Sequence, residues 1–212
     1  MRVVGGAWRG RRLQAPAGRA TRPTADRVRE AIFDVLTALL ASGRLLADAA
    51  PDAPDDAPPD PGREGGEAGP LAGLAALDLF AGSGALGIEA LSRGAASCTF
   101  VERDPAAVRA LRENLTRVGA PADSVRVRAA DYRRALKADA AQGRRYNLVL
   151  VDAPYAQYGA TEPALAAALR AVLAPRALVV VETARGQQVR LPLAERSVKL
   201  YGDTRVTFLS EV

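Results

Sequence analysis

From residue 74 to the end of the chain, short apolar runs alternate with longer amphipathic stretches, and this alternation constrains the fold more than any other feature. The runs have the length of β-strands and the stretches that of helices. Strands are predicted at residues 75–80, 97–101, 125–128, 146–151 and 177–181, and helices at 85–93, 105–118, 132–141 and 163–173. Strands joined by helices form a mostly parallel sheet with helices on both faces, an α/β fold. A final hairpin, 197–200 and 205–209, completes seven strands and adds one antiparallel strand at the far edge.

The first 70 residues divide into three segments of different composition. Residues 1–22 are basic and rich in glycine, and we expect them to form a small β-hairpin appendage. Residues 23–44 are predicted to form a helix, with Thr24 as its cap and Asp26 in its first turn. Residues 45–70 carry seven acidic residues against one basic residue and are rich in proline, so we expect a disordered acidic loop. The main domain is then 71–212.

The composition excludes several classes of chemistry. The chain contains no histidine, which removes Ser-His-Asp and Cys-His catalysis and histidine metal sites. Its one cysteine, Cys98, cannot form an internal disulfide, so a reducing compartment is expected. No run approaches the roughly 20 apolar residues of a membrane span, and the N-terminus lacks the apolar core of a signal peptide. We therefore expect a cytoplasmic monomer without a bound metal or a membrane contact. Residues 1–44 carry nine basic and three acidic side chains, which suits a polyanionic partner.

A glycine-rich loop follows the first predicted strand. Gly82, Gly84 and Gly87 fit the pattern G-x-G-x-x-G, which also marks dinucleotide-binding folds and is weak by itself. Asp78, four positions before the first glycine, discriminates between the two kinds of ligand. A carboxylate aimed at this loop would repel a pyrophosphate. It would attract a cation, and S-adenosylmethionine offers both an ammonium and a sulfonium group.

Two further acids follow the next two strands. Glu102 ends the second strand, where a carboxylate can accept hydrogen bonds from both hydroxyls of a ribose. Asp131 follows the third strand and could bind an adenine amino group, although a helix cap is an equally good interpretation of it. Three acids at three successive strand ends fit a nucleoside with a positively charged tail. The complete expected cofactor site contains Asp78, Phe80, Ala81, Gly82, Ser83, Gly84, Gly87, Glu102, Arg103, Asp131, Tyr132 and Asp152.

The fourth strand ends in the motif Asp152-Ala153-Pro154-Tyr155, beside the first strand, where the strand order reverses and ligands bind. The motif resembles the Asp/Asn-Pro-Pro-Tyr/Phe signature of amino-group N-methyltransferases. Ala153 stands where that signature has proline. The carbonyl of residue 153 is kept, but the fixed φ of one proline is lost.

Nearly the whole chain resembles the bacterial 16S rRNA guanine-N2 methyltransferase family, the RsmD type. The likeness also runs through the segments 5–13, 21–30, 77–87, 89–95, 102–104 and 201–204, whereas 45–70 has no expected counterpart. The resemblance implies a Rossmann-like class I methyltransferase fold, S-adenosylmethionine as the cofactor, and 16S rRNA or an assembling small ribosomal subunit as the partner.

The resemblance also implies roles for individual residues. Asp152 and the carbonyl of Ala153 would each accept one N–H of the guanine 2-amino group, and Asp152 or water would take its proton after methyl transfer. Pro154 would shape the turn, and Tyr155 would stack on a base swung out of its helix. The residues expected to contact RNA are Trp8, Arg9, Arg11, Arg12, Arg19 and Arg22. Trp8 could instead cover a hydrophobic cluster, and Arg22 could instead bind the cofactor carboxylate.

Three alternatives remain open from the sequence. The target could be adenine N6 or a protein amide nitrogen, since the loop signature is shared by those enzymes. The chain could be an RNA-binding ribosome assembly factor without catalysis, although a binding module has no need of the acids and the loop. A nicotinamide dehydrogenase fits least, because Asp78 is misplaced for a pyrophosphate.

Overall fold

The structure, a computed structural model, describes residues 1–15, 26–42 and 69–211. Several expectations fall outside these ranges: the Thr24 cap, the RNA contacts of Arg19 and Arg22, and nearly all of the acidic segment 45–70.

Seven strands form a single sheet, as the alternation predicts. They are β1 (Ala75–Leu79), β2 (Ser97–Glu102), β3 (Val125–Ala129), β4 (Tyr146–Asp152), β5 (Leu173–Ala184), β6 (Ala194–Tyr201) and β7 (Thr204–Ser210). Their order is β3-β2-β1-β4-β5-β7-β6, and the first five run parallel. The antiparallel strand is β7, which pairs with β5 and β6, so it lies one position inside the edge. The α/β class and the mostly parallel sheet are confirmed.

Helices cover both faces of the sheet. They are α1 (Asp26–Ala41), α2 (Ala85–Ser92), α3 (Pro105–Arg117), α4 (Tyr132–Ala141) and α5 (Tyr155–Leu169). The inward side chains of α1, α2 and α3 share one apolar core with the side chains of β1 and β4 that point to that face. The side chains of α4 and α5 pack with those that point to the other face. Alternate residues of each strand therefore belong to different cores, as the two-residue period of a strand requires.

The last predicted helix is wrong in its bounds. The sequence predicts 163–173, but α5 spans Tyr155–Leu169 and passes through Pro163. A proline has no backbone N–H and normally disrupts a helix interior, so Pro163 was expected to stand at a helix start. In α5 it lies within the helix instead. After α5 the chain enters β5, where Leu173 pairs with Tyr146. The β4–β5 register then shifts from Tyr146/Leu173 to Leu148/Leu178, and Arg176 within that bulge has φ 58°.

The N-terminal segment forms a small hairpin that packs on α2 and α3. Arg2 pairs with Arg12, and the amide of Leu13 donates to the carbonyl of Met1 (3.0 Å). The tip of this hairpin, residues 5–10, lies against the C-terminal end of α2, where the amide of Ala7 donates to the carbonyl of Ser92 (2.7 Å). The two arms lie nearer the start of α2, since Asn114 Nδ2 donates to the carbonyls of both Gln14 and Ser83 (2.9 and 3.0 Å).

A buried charge network fastens α1 and the hairpin to α2. Glu89 and Arg29 are both fully buried, with Arg29 Nε 3.7 Å from Glu89 Oε2. Glu89 also accepts from the amide of Val4 (2.9 Å) and from Nε of Arg93 (2.8 Å). Arg29 pairs with Asp26 (2.8 Å) and donates to the carbonyl of Arg2. One buried carboxylate thus joins three segments that are far apart in the sequence.

Candidate active site

The glycine loop makes the sharp passage from β1 into α2. Gly84 has φ 81° and stands at the N-terminus of α2 in the left-handed region, which L side chains disfavour. A Cβ on Gly84 would lie 2.3 Å from a methyl carbon of Leu111, and one on Gly87 would lie 2.3 Å from the ring of Phe100. Both glycines are therefore required by packing, and this leaves the start of α2 close to the end of β1.

Asp78 lies beneath this loop. Its side chain is 1 % exposed, and its Oδ2 accepts from the amide of Gly87 in the first turn of α2 (2.9 Å). Burial raises the pKa of Asp78 from 3.8 to about 7; the Gly87 amide opposes this rise and the charge of Glu102 adds to it. A carboxyl held in this way is costly to ionise, and a cation placed next to it would reduce that cost.

Glu102 holds the loop from the neighbouring strand. Its Oε2 accepts from the amide of Gly82 (2.9 Å), and its Oε1 accepts from the amides of Arg103 and Asp104 (2.7 Å each). Glu102 is half-buried, while Arg103 is exposed. The carboxylate of Glu102, which is expected to bind a ribose, thus also holds the backbone of the glycine loop and of the residues that follow β2.

The far side of the expected cofactor site is aromatic. Phe80, which has φ 60°, lies with its ring centroid 5.2 Å from that of Tyr132. Asp131 caps α4, accepting at Oδ1 from the amide of Arg133 (2.9 Å). The helix-cap interpretation of Asp131 therefore holds, and its contact with an adenine amino group stays a prediction.

The motif 152–155 turns the chain from β4 into α5. Asp152 is the last residue of β4, Ala153 is buried, Pro154 stands at the N-cap of α5, and Tyr155 begins the helix. Asp78 pairs with Leu150 on the adjacent parallel strand, and Asp152 follows Leu150 by two residues on the same face. Asp152 therefore lies on the strand next to that of Asp78, about 5 Å away across the sheet, and about 7 Å further along the strand direction. The two acids therefore lie on the same face of the sheet near its carboxyl edge, and the region outside this edge, where ligands of such sheets bind, is called the candidate crevice.

Tyr155 is tied to the sheet by two residues that the sequence analysis missed. Its hydroxyl donates to Oε1 of Glu182 (3.0 Å) and is hydrogen-bonded to Oγ1 of Thr204 (2.9 Å). Burial, together with the charges of Glu182 and Asp152, raises the pKa of Tyr155 to about 12. Glu182 could have been found by the rule used for Asp78 and Asp152, since it also ends an apolar strand segment on the same edge.

The structure does not bring the hairpin tip to this crevice. Trp8 is half-buried and packs against the apolar core, and its amide donates to Oγ of Ser92 (2.9 Å). Arg11 donates to the carbonyl of Val118, the C-cap of α3, while Arg9 and Arg12 are exposed. The tip contacts the end of α2, whose eight residues span about 12 Å from the glycine loop.

Two kinds of feature are absent from the described residues. Within 1–15, 26–42 and 69–211, no three His, Cys, Asp or Glu side chains are grouped so that they could hold a metal ion. In the same part of the chain, no helix has the length and apolar character needed to cross a membrane.

Comparison with known proteins finds one matching family and several relatives. The model of the family described as conserved hypothetical protein 95 matches residues 1–50 and 67–210. A Bacillus subtilis protein named putative rRNA methyltransferase YlbH is 36% identical over 155 residues, 73% of this chain and 67% of that protein. The Escherichia coli K12 protein named ribosomal RNA small subunit methyltransferase D is 35% identical over 73% of this chain, and the aligned part spans 60% of its length.

A solved structure supports the fold over the full length. The hypothetical protein TTHA0928 of Thermus thermophilus aligns with 100% of this chain and 99% of its own, with a TM-score of 0.73 and 31% identity.

Proposed function

The chain belongs to the conserved hypothetical protein 95 family, and from this premise we propose that it transfers a methyl group from S-adenosylmethionine to the exocyclic N2 of a guanine in 16S rRNA. Its sheet is that of the Rossmann-like class I methyltransferases. The observation that carries the proposal is the placement of Asp78 and Asp152 on one face of adjacent strands, near the carboxyl edge of the sheet. A donor held at the first acid and an amine held at the second would meet there.

The residues of the crevice fit this cofactor. Asp78 is buried, its hydrogen bond comes from a neutral amide, and Glu102 adds negative potential to its surroundings. The ammonium or sulfonium of the cofactor would relieve that unfavourable field. Glu102 would accept from the ribose hydroxyls, and Phe80 and Tyr132 would form the apolar wall for the adenine. When bound, the cofactor supplies an electrophilic methyl group on sulfur.

The catalytic loop would align and activate the amine. A guanine 2-amino lone pair is delocalised into the ring and is a poor nucleophile. Asp152 and the carbonyl of Ala153 would each accept one N–H, which draws the nitrogen toward tetrahedral geometry and aims its lone pair at the methyl carbon. The nitrogen would take the methyl group that the cofactor's sulfur gives up, and Asp152 or water would accept the proton that the methylated amine then loses. Most of the acceleration would come from alignment and from electrostatics at the nitrogen.

The choice of ribosomal RNA rests on the relatives and on charge. Both relatives above are named rRNA methyltransferases, one of them for the small subunit. The first 44 residues are strongly basic, as phosphate contacts require. Arg9 and Arg12 would bind RNA that flanks the target rather than the target base itself. A cytoplasmic monomer is the form in which we expect the protein to act.

Methylation of small-subunit particles tests this function. Particles from a strain that lacks the protein are incubated with it and with methyl-labelled S-adenosylmethionine, and the labelled nucleoside is identified by mass spectrometry. We expect N2-methylguanosine at one position. N6-methyladenosine would favour the adenine enzymes, and absence of both label and calorimetric cofactor binding would favour an assembly factor.

Asp152→Ala is expected to lower the single-turnover rate at least about 100-fold, because it removes an acceptor that orients the amine and takes its proton. The matched control is Asp123→Ala, which removes an exposed acid at the start of β3, at the opposite edge of the sheet. The control should retain the wild-type rate, and both variants should keep the wild-type melting temperature. A wild-type rate in Asp152→Ala would refute the role of Asp152.

A further inference from the structure

We propose that Glu182 makes the site selective for guanine, by accepting a hydrogen bond from N1–H of the target base while Asp152 holds the 2-amino group. The inference deepens the proposed function and depends on it. Three observations support it: the register of Glu182, its hydrogen bond with Tyr155, and the accepting character of Asp152, Glu182 and the carbonyl of Ala153.

Glu182 lies directly beside Asp152. The two residues are paired in the parallel β4–β5 register, so their side chains point to the same face from strands about 5 Å apart. Glu182 is 5 % exposed, which makes it one of the few acids buried at the carboxyl edge. A buried carboxylate normally has donors around it. The spacing of the two acids is suited to adjacent groups on one edge of a planar base.

Tyr155 connects Glu182 to the expected position of the base. Tyr155 is the last residue of the catalytic motif and the first of α5. Its hydroxyl donates to Oε1 of Glu182 (3.0 Å). If the target base stacks on this ring, the carboxylate lies at the rim of the stack. An ionised carboxylate has two oxygens and about four acceptor positions, so it can serve a base N–H as well as the tyrosine.

The chemistry of the base edges then selects guanine. Asp152, Glu182 and the carbonyl of Ala153 are all acceptors. Guanine presents N1–H directly beside its 2-amino group, so two adjacent donors can face the two carboxylates. Adenine and cytosine each present a bare ring nitrogen next to their amino groups, and that lone pair would face a carboxylate. Leaving such buried groups unpaired is the strongest source of discrimination between similar substrates.

Purine analogues at the mapped target position test the inference. 2-Aminopurine keeps the 2-amino group but has an unprotonated N1 and no O6; 6-thioguanine keeps N1–H and weakens the acceptor at position 6. RNA with guanine or either analogue is assembled into particles, and single-turnover methylation is measured. The wild type should methylate 2-aminopurine at least about 100-fold more slowly than guanine, and 6-thioguanine within about tenfold of guanine. Equal rates for guanine and 2-aminopurine in the wild type would overturn the inference, and this comparison needs no variant.

Glu182→Gln separates base recognition from support of Tyr155. The amide can donate to N1 of 2-aminopurine, so the preference for guanine should fall at least about tenfold. Tyr155→Phe, which keeps the ring and removes the hydroxyl, should slow methylation of both substrates and keep the preference for guanine.

Glu162→Gln is the matched control, because Glu162 accepts from Tyr158 in a similar buried pair outside the motif (2.9 Å). It should keep the wild-type preference. If Glu182→Gln slowed both bases equally, the carboxylate would only position Tyr155; if the wild type methylated no guanine, the proposed function itself would fail.

Discussion

At the scale of single residues, the site contains one acid, Asp78, whose negative charge is unfavourable in its buried position. Asp78 has the clearest signature, because burial raises its pKa to about 7. The unfolded chain releases this proton near pH 3.8 and the folded chain only near pH 7. Ionisation therefore costs the empty protein stability as pH rises through that window, and above pH 7 the cost is fully present. We interpret the burial of Asp78 as a loss of folding stability that is offset when the cofactor binds.

The affinity for S-adenosylmethionine should rise with pH for this reason. A cation is held by the ionised form of Asp78, so binding below pH 7 must displace the proton. We expect affinity to increase about tenfold for each pH unit below the pKa and to level off above pH 7. Calorimetry in two buffers of different ionisation enthalpy should show nearly one proton released at pH 6 and almost none at pH 8. Asp78→Asn should bind more weakly and lose this dependence; an unchanged pH profile in that variant would assign the proton to another group.

At the scale of elements, the sequence predicted the bounds of the first four parallel strands. It did not predict where β5 and α5 begin, because a bulge and an internal proline decide those two bounds. The ends of β1 to β4 lie within one residue of prediction. β1, β2 and β4 are short, mostly apolar runs with a clear break after each, and β3 alternates valine with arginine at the two-residue period of a strand. The start of β5 was missed, since its first residues precede a bulge around Arg176 that has no apolar pattern. The start of α5 was missed because Pro163 is tolerated inside that helix.

The site residues divide in the same way. Asp78 lies near the end of β1, and Glu102 and Asp152 are the last residues of β2 and β4, so the local pattern predicted their position at the carboxyl edge, while their ligand contacts stay predictions. Glu182 also follows the local rule, but its hydrogen bond with Tyr155, 27 residues earlier, and its register with Asp152 are visible only in the structure. The buried pair of Arg29 and Glu89 was missed for a similar reason, since nothing in either helix indicates the other.

That pair gives a prediction about how α1 and the hairpin are held. Glu89→Gln should lower the free energy of unfolding by about 3 kcal/mol, because it leaves Arg29 buried without its full counter-charge. Urea denaturation at pH 7 measures this, with the exposed α3 variant Glu113→Gln as the control, expected within about 0.5 kcal/mol of wild type. The double variant Arg29→Met/Glu89→Leu should recover part of the loss, since the buried charge of Arg29 is removed together with its partner and Arg93 keeps its ion pair with Asp34 (3.6 Å). A single variant as stable as wild type would show that the network contributes no net stability.

At the scale of the whole molecule, the proposed catalytic crevice and the hairpin tip lie at opposite ends of α2. The glycine loop begins this helix, and the tip contacts Ser92 at its end. An RNA that touches both must extend along the α1–α3 face of the protein. Phosphate contacts at the tip would then fix the register of the RNA without reading the target base.

This separation predicts that RNA binding can be weakened without harming the chemistry. The double variant Arg9→Ala/Arg12→Ala should bind particles at least about tenfold more weakly than the wild type. The slope of the logarithm of the binding constant against the logarithm of the salt concentration should fall by about 2, one for each lost phosphate contact. Cofactor affinity and the rate at saturating particles should stay at wild-type values, because both side chains are exposed and neither belongs to the expected cofactor or catalytic residues. The control is Arg145→Ala/Arg170→Ala, which removes the same charge from exposed residues that precede β4 and β5. Equal losses in the two double variants would mean that only net charge matters, and no loss in the first would mean that Arg9 and Arg12 do not contact RNA.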